Sequence, residues 1–250
     1  MIRVMTYNVH SCIGVDRRLD VGRVAAVIAH LRPDIVALQE LDVCRPRTGT
    51  VDQAHAIASR LGMSFHFNAA LRVEEEEYGD AILTTLPARL IRTGPLPGLP
   101  RIRGLETRGA VWVEVEADGV KLQVINTHLG LVPLEQRAQA SCLLGDQWVG
   151  HTDFADPAIL LGDFNATSRY AVYRRLATRM RDVQADGDRT HPWLGTAATF
   201  PSRMPMLRID HMFVSPGIEV HAVQAPTVAL MRAASDHLPL IDDISVAGGA

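Results

Sequence analysis

Lysine is nearly missing from this chain: of its 25 basic residues only Lys121 is Lys, and the rest are Arg. Genome base composition accounts for that bias most simply, with Arg-rich recognition of phosphate as the sharper alternative. Cysteine is also scarce. Cys12, Cys44 and Cys142 are widely spaced and form no C-x-x-C pair, which argues against a disulfide framework or a structural zinc site and for free thiols in a reducing compartment. Aromatic residues make up 5% of the chain, and no cluster of them stands out. No run approaches the roughly 18 apolar residues of a membrane-spanning helix. The opening MIRVMTYNVH enters a strand pattern at once, with neither the basic region nor the apolar core of a signal peptide. The expectation is a cytoplasmic protein without a transmembrane segment. The net charge of −3 gives the chain as a whole no attraction for polyanions.

What is present is ordinary globular material. With 250 residues, 47% hydrophobic and 21% charged, the chain can bury a full core and is not disordered. No low-complexity linker divides it, so one domain spanning residues 1–250 is expected. Short runs rich in Val, Ile and Leu predict strands at 2–8, 35–39, 80–85, 110–116, 120–127, 158–162, 209–214 and 218–223. Apolar residues at helical spacing predict helices at 21–32, capped by Asp20 and ended by Pro33, and at 52–61, stopped by Gly62. Two more are predicted at 134–148 and 169–180, the second capped by Ser168.

A weak internal echo runs through this pattern. VMTYNVH (4–10) and VINTHLG (124–130) are strands that end in Asn or His; a helical stretch follows each, then DIVALQELD (34–42) and AILLGDFNA (158–166), strands that end in acids. Two strand–helix–strand copies predict two similar layers packed face to face. The polar residues that close the apolar runs are Asn8, Glu40, His128, Asp163, Asn165, Asp210, Asp236 and His237. Each alone has a structural explanation, as a turn cap, a solvated loop or a satisfied histidine. Together, at strand ends where layered α/β proteins build their sites, they supply hard oxygen donors and two imidazoles but no thiolate, a set suited to magnesium or manganese rather than zinc.

TYNVH, LQELD, NTHLG, LLGDFNA, RIDHMFVS and SDHLPL occur in the order found in the endonuclease/exonuclease/phosphatase superfamily, and the chain resembles that superfamily over residues 2–241. The group includes pancreatic deoxyribonuclease, abasic-site endonucleases, neutral sphingomyelinases and inositol-polyphosphate 5-phosphatases. The resemblance implies an α/β (α+β) four-layer sandwich of two packed mixed β-sheets flanked by helices, similar to pancreatic deoxyribonuclease, with the site at one end between the sheets. It implies that Glu40 binds the metal with Asn8 helping, and that Asp236 adds a metal-side carboxylate. Asp163 and Asn165 resemble the pair that orients the attacking water and supports the phosphate. His237 resembles the catalytic histidine and Asp210 the acid that orients it, while His128 matches the histidine of the deoxyribonuclease and sphingomyelinase branches. Arg108, in ETRGAVWVE, resembles a phosphate-contacting arginine.

Elementary chemistry agrees with these roles. Phosphodiester hydrolysis needs charge neutralised on the phosphate, a water activated and an alkoxide stabilised, tasks for a divalent cation beside a carboxylate and a charged imidazole. A serine triad from Ser235, Asp236 and His237 is disfavoured, because neighbouring residues on an extended strand point to opposite faces and no G-x-S-x-G turn exists. Glu74–Glu77 form an acidic run read as a solvated loop that could also repel polyanions; Asp80 has no assigned role, standing where many relatives carry Asn. Residues 87–110 carry Arg89, Arg92, Arg101, Arg103 and Arg108 against Glu106, and read as a rim loop able to contact an anionic head group. The expected activity is magnesium-dependent (Mg2+, with Mn2+ substituting) hydrolysis of a phosphoester by in-line water attack, with a small or lipid-borne phosphodiester favoured. A DNA endonuclease or exonuclease is the alternative, since nucleic acid is possible but disfavoured by charge. A catalytically silent binding module on the same fold is the third.

Overall fold

The computed structural model describes residues 1–99, 102, 104–185 and 197–246. Among them twelve strands form two six-stranded mixed sheets. The first contains β1 (Ile2–Asn8), β2 (Ile35–Val43), β3 (Ser64–Val73), β4 (Glu76–Thr84), β11 (Ile218–Gln224) and β12 (Leu240–Val246). The second contains β5 (Ala88–Pro95), β6 (Gly109–Ala117), β7 (Val120–His128), β8 (Ala158–Asp163), β9 (Arg181–Asp182) and β10 (Asp210–Val214). Their orders are β11-β12-β1-β2-β4-β3 and β5-β6-β7-β8-β10-β9. Each sheet has a single parallel pair at its centre, β1–β2 and β7–β8, with antiparallel neighbours on both sides. A parallel pair needs a crossover, supplied by α1 (Val21–Leu31) in the first and α3 (Pro133–Leu143) in the second. The sequence echo is thus a real repeat of topology.

Alternation of side chains along the strands builds four layers. Met5 and Tyr7 of β1 and Val36 and Leu38 of β2 face outward, where they pack with α1, α2 (Gln53–Leu61) and α5 (Ala229–Ala234). Ala110 and Trp112 of β6 and Ala158 and Leu160 of β8 face the other way, toward α3 and α4 (Ala171–Leu176). The intervening residues, Val4, Ala37, Val113, Val124, Leu161 and Met212 among them, meet between the sheets. The expected signals hold where Asp20 accepts from the Arg23 amide and Gly62 closes α2 at φ 65°; Asp52, expected inside the second helix, instead caps it by accepting from the His55 amide.

Several expectations fail at the periphery. α3 stops at Leu143 rather than 148, and α4 covers 171–176 rather than 169–180, with Tyr170 and not Ser168 at its cap position. Residues 88–95 form edge strand β5 rather than part of a rim loop, and Arg89 there pairs with Glu114 of β6. Arg101 and Arg103 lie outside the described residues. Glu74–Glu77 span the β3–β4 turn, where Glu76 pairs with Arg45 and Glu77 with Arg72, so half of that run is neutralised locally. The three cysteines are free, with Cys12 buried, Cys142 partly buried and Cys44 exposed.

Candidate active site

The alternation that fills the core decides what stands at its end. On the inter-sheet face β1 runs Ile2, Val4, Thr6, Asn8; β7 runs Leu122, Val124, Asn126, His128; β8 runs Ile159, Leu161, Asp163; and β10, read backward, runs Val214, Met212, Asp210. Apolar residues give way to polar ones only at this end. Register completes the row, because Asp163 sits opposite His128 on one neighbour and Asp210 on the other. Gly162, before Asp163, has φ 144°, and a β-carbon there would lie 1.8 Å from the Thr127 carbonyl oxygen, so only glycine lets β8 approach β7 this closely.

The two sheets are bolted together directly beneath this row. Asn126 donates to the carbonyls of Leu38 (2.8 Å) and Ala81 (2.9 Å) and accepts from Gln39 Nε2 (2.7 Å), and Gln39 also donates to Thr6. Glu40 follows at a break in the β2–β4 register and takes φ 61°, an unfavourable conformation for a residue with a β-carbon. The buried carboxyl of Asp80 accepts the Glu40 backbone amide; burial pushes this acid up to about 8, and its place is beneath the bulge rather than in the cleft.

Above the row opens a cleft of about 670 Å³ lined by His10, Glu40, Arg108, His128, Asp163, Asn165, Asp236 and His237, with an apolar wall that includes Tyr170, Phe200 and Leu207. Asn8 and Asp210 stand behind this lining, in contact with it. All nine residues singled out from sequence are therefore gathered in one place. On one side the Asn8 amide nitrogen donates to Glu40 Oε1 (2.9 Å) and Asp163 Oδ2 (3.0 Å). His10, which the sequence reading passed over, places Nδ1 3.5 Å from Glu40 Oε2 and 3.8 Å from Asp236 Oδ1. Burial would push Glu40 up, yet hydrogen bonds from His10 and Asn8 and the surrounding charge hold it well below the ordinary carboxylate range. The Glu40 and Asp236 carboxylates, both partly open to water, offer the oxygen donors that suit a magnesium-type cation keeping several of its waters.

On the other side the groups handle protons. His237 Nδ1 lies 2.9 Å from Asp210 Oδ2, which also accepts the Thr199 hydroxyl, and His237 Nε2 lies 3.6 Å from Asp163 Oδ2. Burial disfavours its charge, but Asp210 and Asp163 overcome that and raise His237 well above an ordinary histidine, so it is an imidazolium at neutral pH. Asp163, Asp210 and His237 are close enough to hold an ion, yet Nδ1 and Oδ2 are spent on each other. His128 is the opposite case: burial, then the charge of Arg108, keeps it neutral. Arg108 Nη1 lies 2.9 Å from His128 Nδ1 and Asn165 Nδ2 lies 3.0 Å from His128 Nε2, which is itself 3.5 Å from Asp163 Oδ2, so a donor faces each ring nitrogen. Asn165, at φ 47°, donates its side chain to the Leu129 carbonyl and its backbone amide to Asp163. Arg108 is buried, pairs with Glu106 at 2.9 Å and keeps an unpartnered Nε donor. Ser235 is no nucleophile: it donates to the Asn8 carbonyl (2.7 Å) and accepts the His237 amide (3.2 Å), clipping the α5–β12 loop to β1.

Comparison with known proteins bears on the family and the fold. The model of the Endonuclease/Exonuclease/phosphatase family matches residues 5–237. The chain is 26% identical over 257 residues to the protein YbhP of Escherichia coli strain K12, covering 97% of this chain and 95% of that one. Among solved structures it is similar to an endonuclease/exonuclease/phosphatase from Beutenbergia cavernae, with 24% identity, TM-score 0.76, and 99% of this chain and 72% of that chain covered. It is similar also to a mannosyl-6-phosphatase of Bacteroides thetaiotaomicron, with 19% identity, TM-score 0.75, and 98% and 100% coverage. These structural likenesses bear on the fold.

Proposed function

Because the chain belongs to the endonuclease/exonuclease/phosphatase family, all of whose named activities hydrolyse phosphoester bonds, we propose that it cleaves a small or lipid-borne phosphodiester with the help of magnesium. The observation that carries this reading is the pairing of an imidazolium, His237 held by Asp210 at 2.9 Å, with a second, carboxylate side at Glu40 and Asp236. Glu40 and Asp236 would hold the cation, with the Asn8 amide fixing the Glu40 carboxylate. When bound, the ion supplies Lewis acidity toward the phosphate and stabilises the departing oxygen.

The remaining work belongs to side chains. Asp163, at the meeting point of His128, His237 and Asn8, orients the water that attacks in line and accepts its hydrogen bond. His237 presents a charged Nε2–H to a phosphate oxygen, and charge growing on that oxygen in the transition state strengthens the contact. His128, neutral and held between the Arg108 guanidinium and the Asn165 amide, lines the cleft beside Asp163, while Arg108 brings positive charge to it. Asn165 anchors the turn that follows Asp163. Turnover of bis-(p-nitrophenyl) phosphate that a chelator abolishes, and that Asp163→Ala loses, tests the proposal; a protein that binds phosphate but turns nothing over is a silent binding module instead.

A phosphomonoester substrate is the second reading, favoured by likeness to the mannosyl-6-phosphatase. Turnover of p-nitrophenyl phosphate above the diester would establish it. Duplex DNA ranks lower, because the net charge is −3 and duplex affinity draws on counterion release by a basic face. Plasmid nicking at physiological salt would reverse that ranking. A cytoplasmic location is part of this proposal, supported by the three free cysteines; no helix among the described residues is long and apolar enough to cross a membrane.

A further inference from the structure

The mouth of the cleft carries apolar side chains that the reaction does not need. Leu131, Tyr170 and Leu207 line it from three separate segments. Leu134 lies in the first turn of α3 three residues beyond Leu131, and Met204 and Met206 lie in the short hairpin closed by the Phe200–Leu207 bridge, whose Phe200 ring lies tilted 4.9 Å from that of His237. These six side chains are 43–69% exposed, and they are six of the thirteen exposed large apolar residues among those described. Scattered exposed leucines need no explanation, but a group converging on one opening marks a binding surface.

Charge on the same segments is one-sided. Each apolar tip has an exposed arginine beside it: Arg137 after Leu134, Arg169 before Tyr170, and Arg203 before Met204. The only acid within 131–137, 168–170 and 202–207 is Glu135, which is buried. Glu106, on the facing part of the cleft, is spent on Arg108. A chain of net charge −3 therefore presents a locally cationic and aliphatic rim around its phosphoester site.

We propose that this rim is an interfacial docking surface that seats the cleft on an anionic lipid bilayer, where the phosphoester of a membrane lipid enters headgroup first. Leucine and methionine side chains gain by entering the acyl boundary, and arginines at the same level meet lipid phosphates, the combination that holds peripheral proteins on membranes. Single-stranded nucleic acid is a poorer match, because it is held by stacking on aromatic faces and Tyr170 is the one exposed aromatic side chain of the rim. The inference rests on the phosphoester-hydrolase reading of the cleft and adds the surface from which the substrate is taken.

Flotation of the full chain with vesicles tests it, using phosphatidylcholine alone and an equal mixture of phosphatidylcholine and phosphatidylglycerol, in magnesium buffer at physiological salt. Wild type is expected to float with the mixed vesicles, and the double variant Leu134→Asp with Met206→Asp to lose at least about tenfold in partition. Neither position lines the cleft, so turnover of soluble bis-(p-nitrophenyl) phosphate should stay within about twofold in that variant, which also reports that it folds. Arg137→Gln with Arg203→Gln should weaken binding to the mixed vesicles more than to phosphatidylcholine alone. A wild type that hydrolyses the soluble diester yet never floats overturns the inference. So does a double variant that floats as well as wild type, or a rim whose variants release a duplex oligonucleotide while vesicles are ignored. Absence of soluble-diester turnover would instead sink the hydrolase reading, while flotation and its loss in the double variant would still report on the rim.

Discussion

His237 and Asp210 come from segments 27 residues apart and meet at 2.9 Å, with both groups buried and the Asp210 oxygen shared with the Thr199 hydroxyl. The carboxylate does two things: it fixes the ring so that Nε2 faces the cleft, and it keeps the ring charged. Removing the imidazole by His237→Ala should lower the turnover number by at least about a hundredfold, the scale of a lost electrostatic partner in the transition state. Asp210→Asn leaves the ring and should cost less, with activity falling further as pH rises, since the imidazolium then loses its proton at lower pH. Rate–pH profiles of the two variants check this; wild-type activity in His237→Ala removes the residue from the mechanism.

Metal dependence follows from the oxygen donors of Glu40 and Asp236. Chelation should abolish turnover, and either magnesium or manganese should restore it. Glu40→Gln should weaken cation binding by at least about tenfold, measurable by titration calorimetry without any substrate. Protein that retains tightly bound zinc through its histidines would contradict the assignment.

Much of this site was legible because period-two alternation is simple arithmetic. Once β1, β7, β8 and β10 are read as strands with one apolar face, Asn8, His128, Asp163 and Asp210 fall on the same face at the same end. His10 was not legible: it lies beyond the end of β1 in a left-handed conformation (φ 46°), so no periodicity marks it, although it stands inside the TYNVH run. Edge strands β3 and β5 escaped because an edge exposes half of its residues, which blurs the apolar pattern. β12 escaped for another reason. Asp242 and Asp243 interrupt its apolar pattern, and only the fold reveals that Asp243 meets Arg3 across the sheet at 2.7 Å.

Asn126 is the cross-brace below the site, and its amide is fully engaged by Leu38, Ala81 and Gln39. Asn126→Ala removes the donor that two buried carbonyls share between the sheets, while Gln39 keeps Thr6 and the Ala37 carbonyl as acceptors. The expected destabilisation is about 2–4 kcal/mol, from the desolvation of groups left unpaired. Urea unfolding should show a lower midpoint with an unchanged slope. A loss below about 0.5 kcal/mol would mean that the sheets are held by apolar packing alone.

Asp242 provides a pH signature of stability separate from the reaction. Its carboxyl lies 1% exposed on β12, and neither oxygen has a hydrogen-bond partner. Burial first, then the neighbouring charge of Asp243, pushes it up to about 8. In the unfolded chain an aspartate titrates near 3.9, so between about pH 4 and pH 8 the folded protein holds a proton that the unfolded chain releases. Stability then falls as pH rises through that window, because the folded state binds more protons. Asp242→Asn keeps the shape and removes the titration. Its melting temperature should exceed that of wild type at about pH 8, with the difference shrinking toward about pH 5. Paired thermal unfolding at both pH values decides the matter: parallel pH dependence in the two proteins would show that Asp242 is already ionised in the fold, and the source of any acid-favoured stability would have to be sought among other carboxyls.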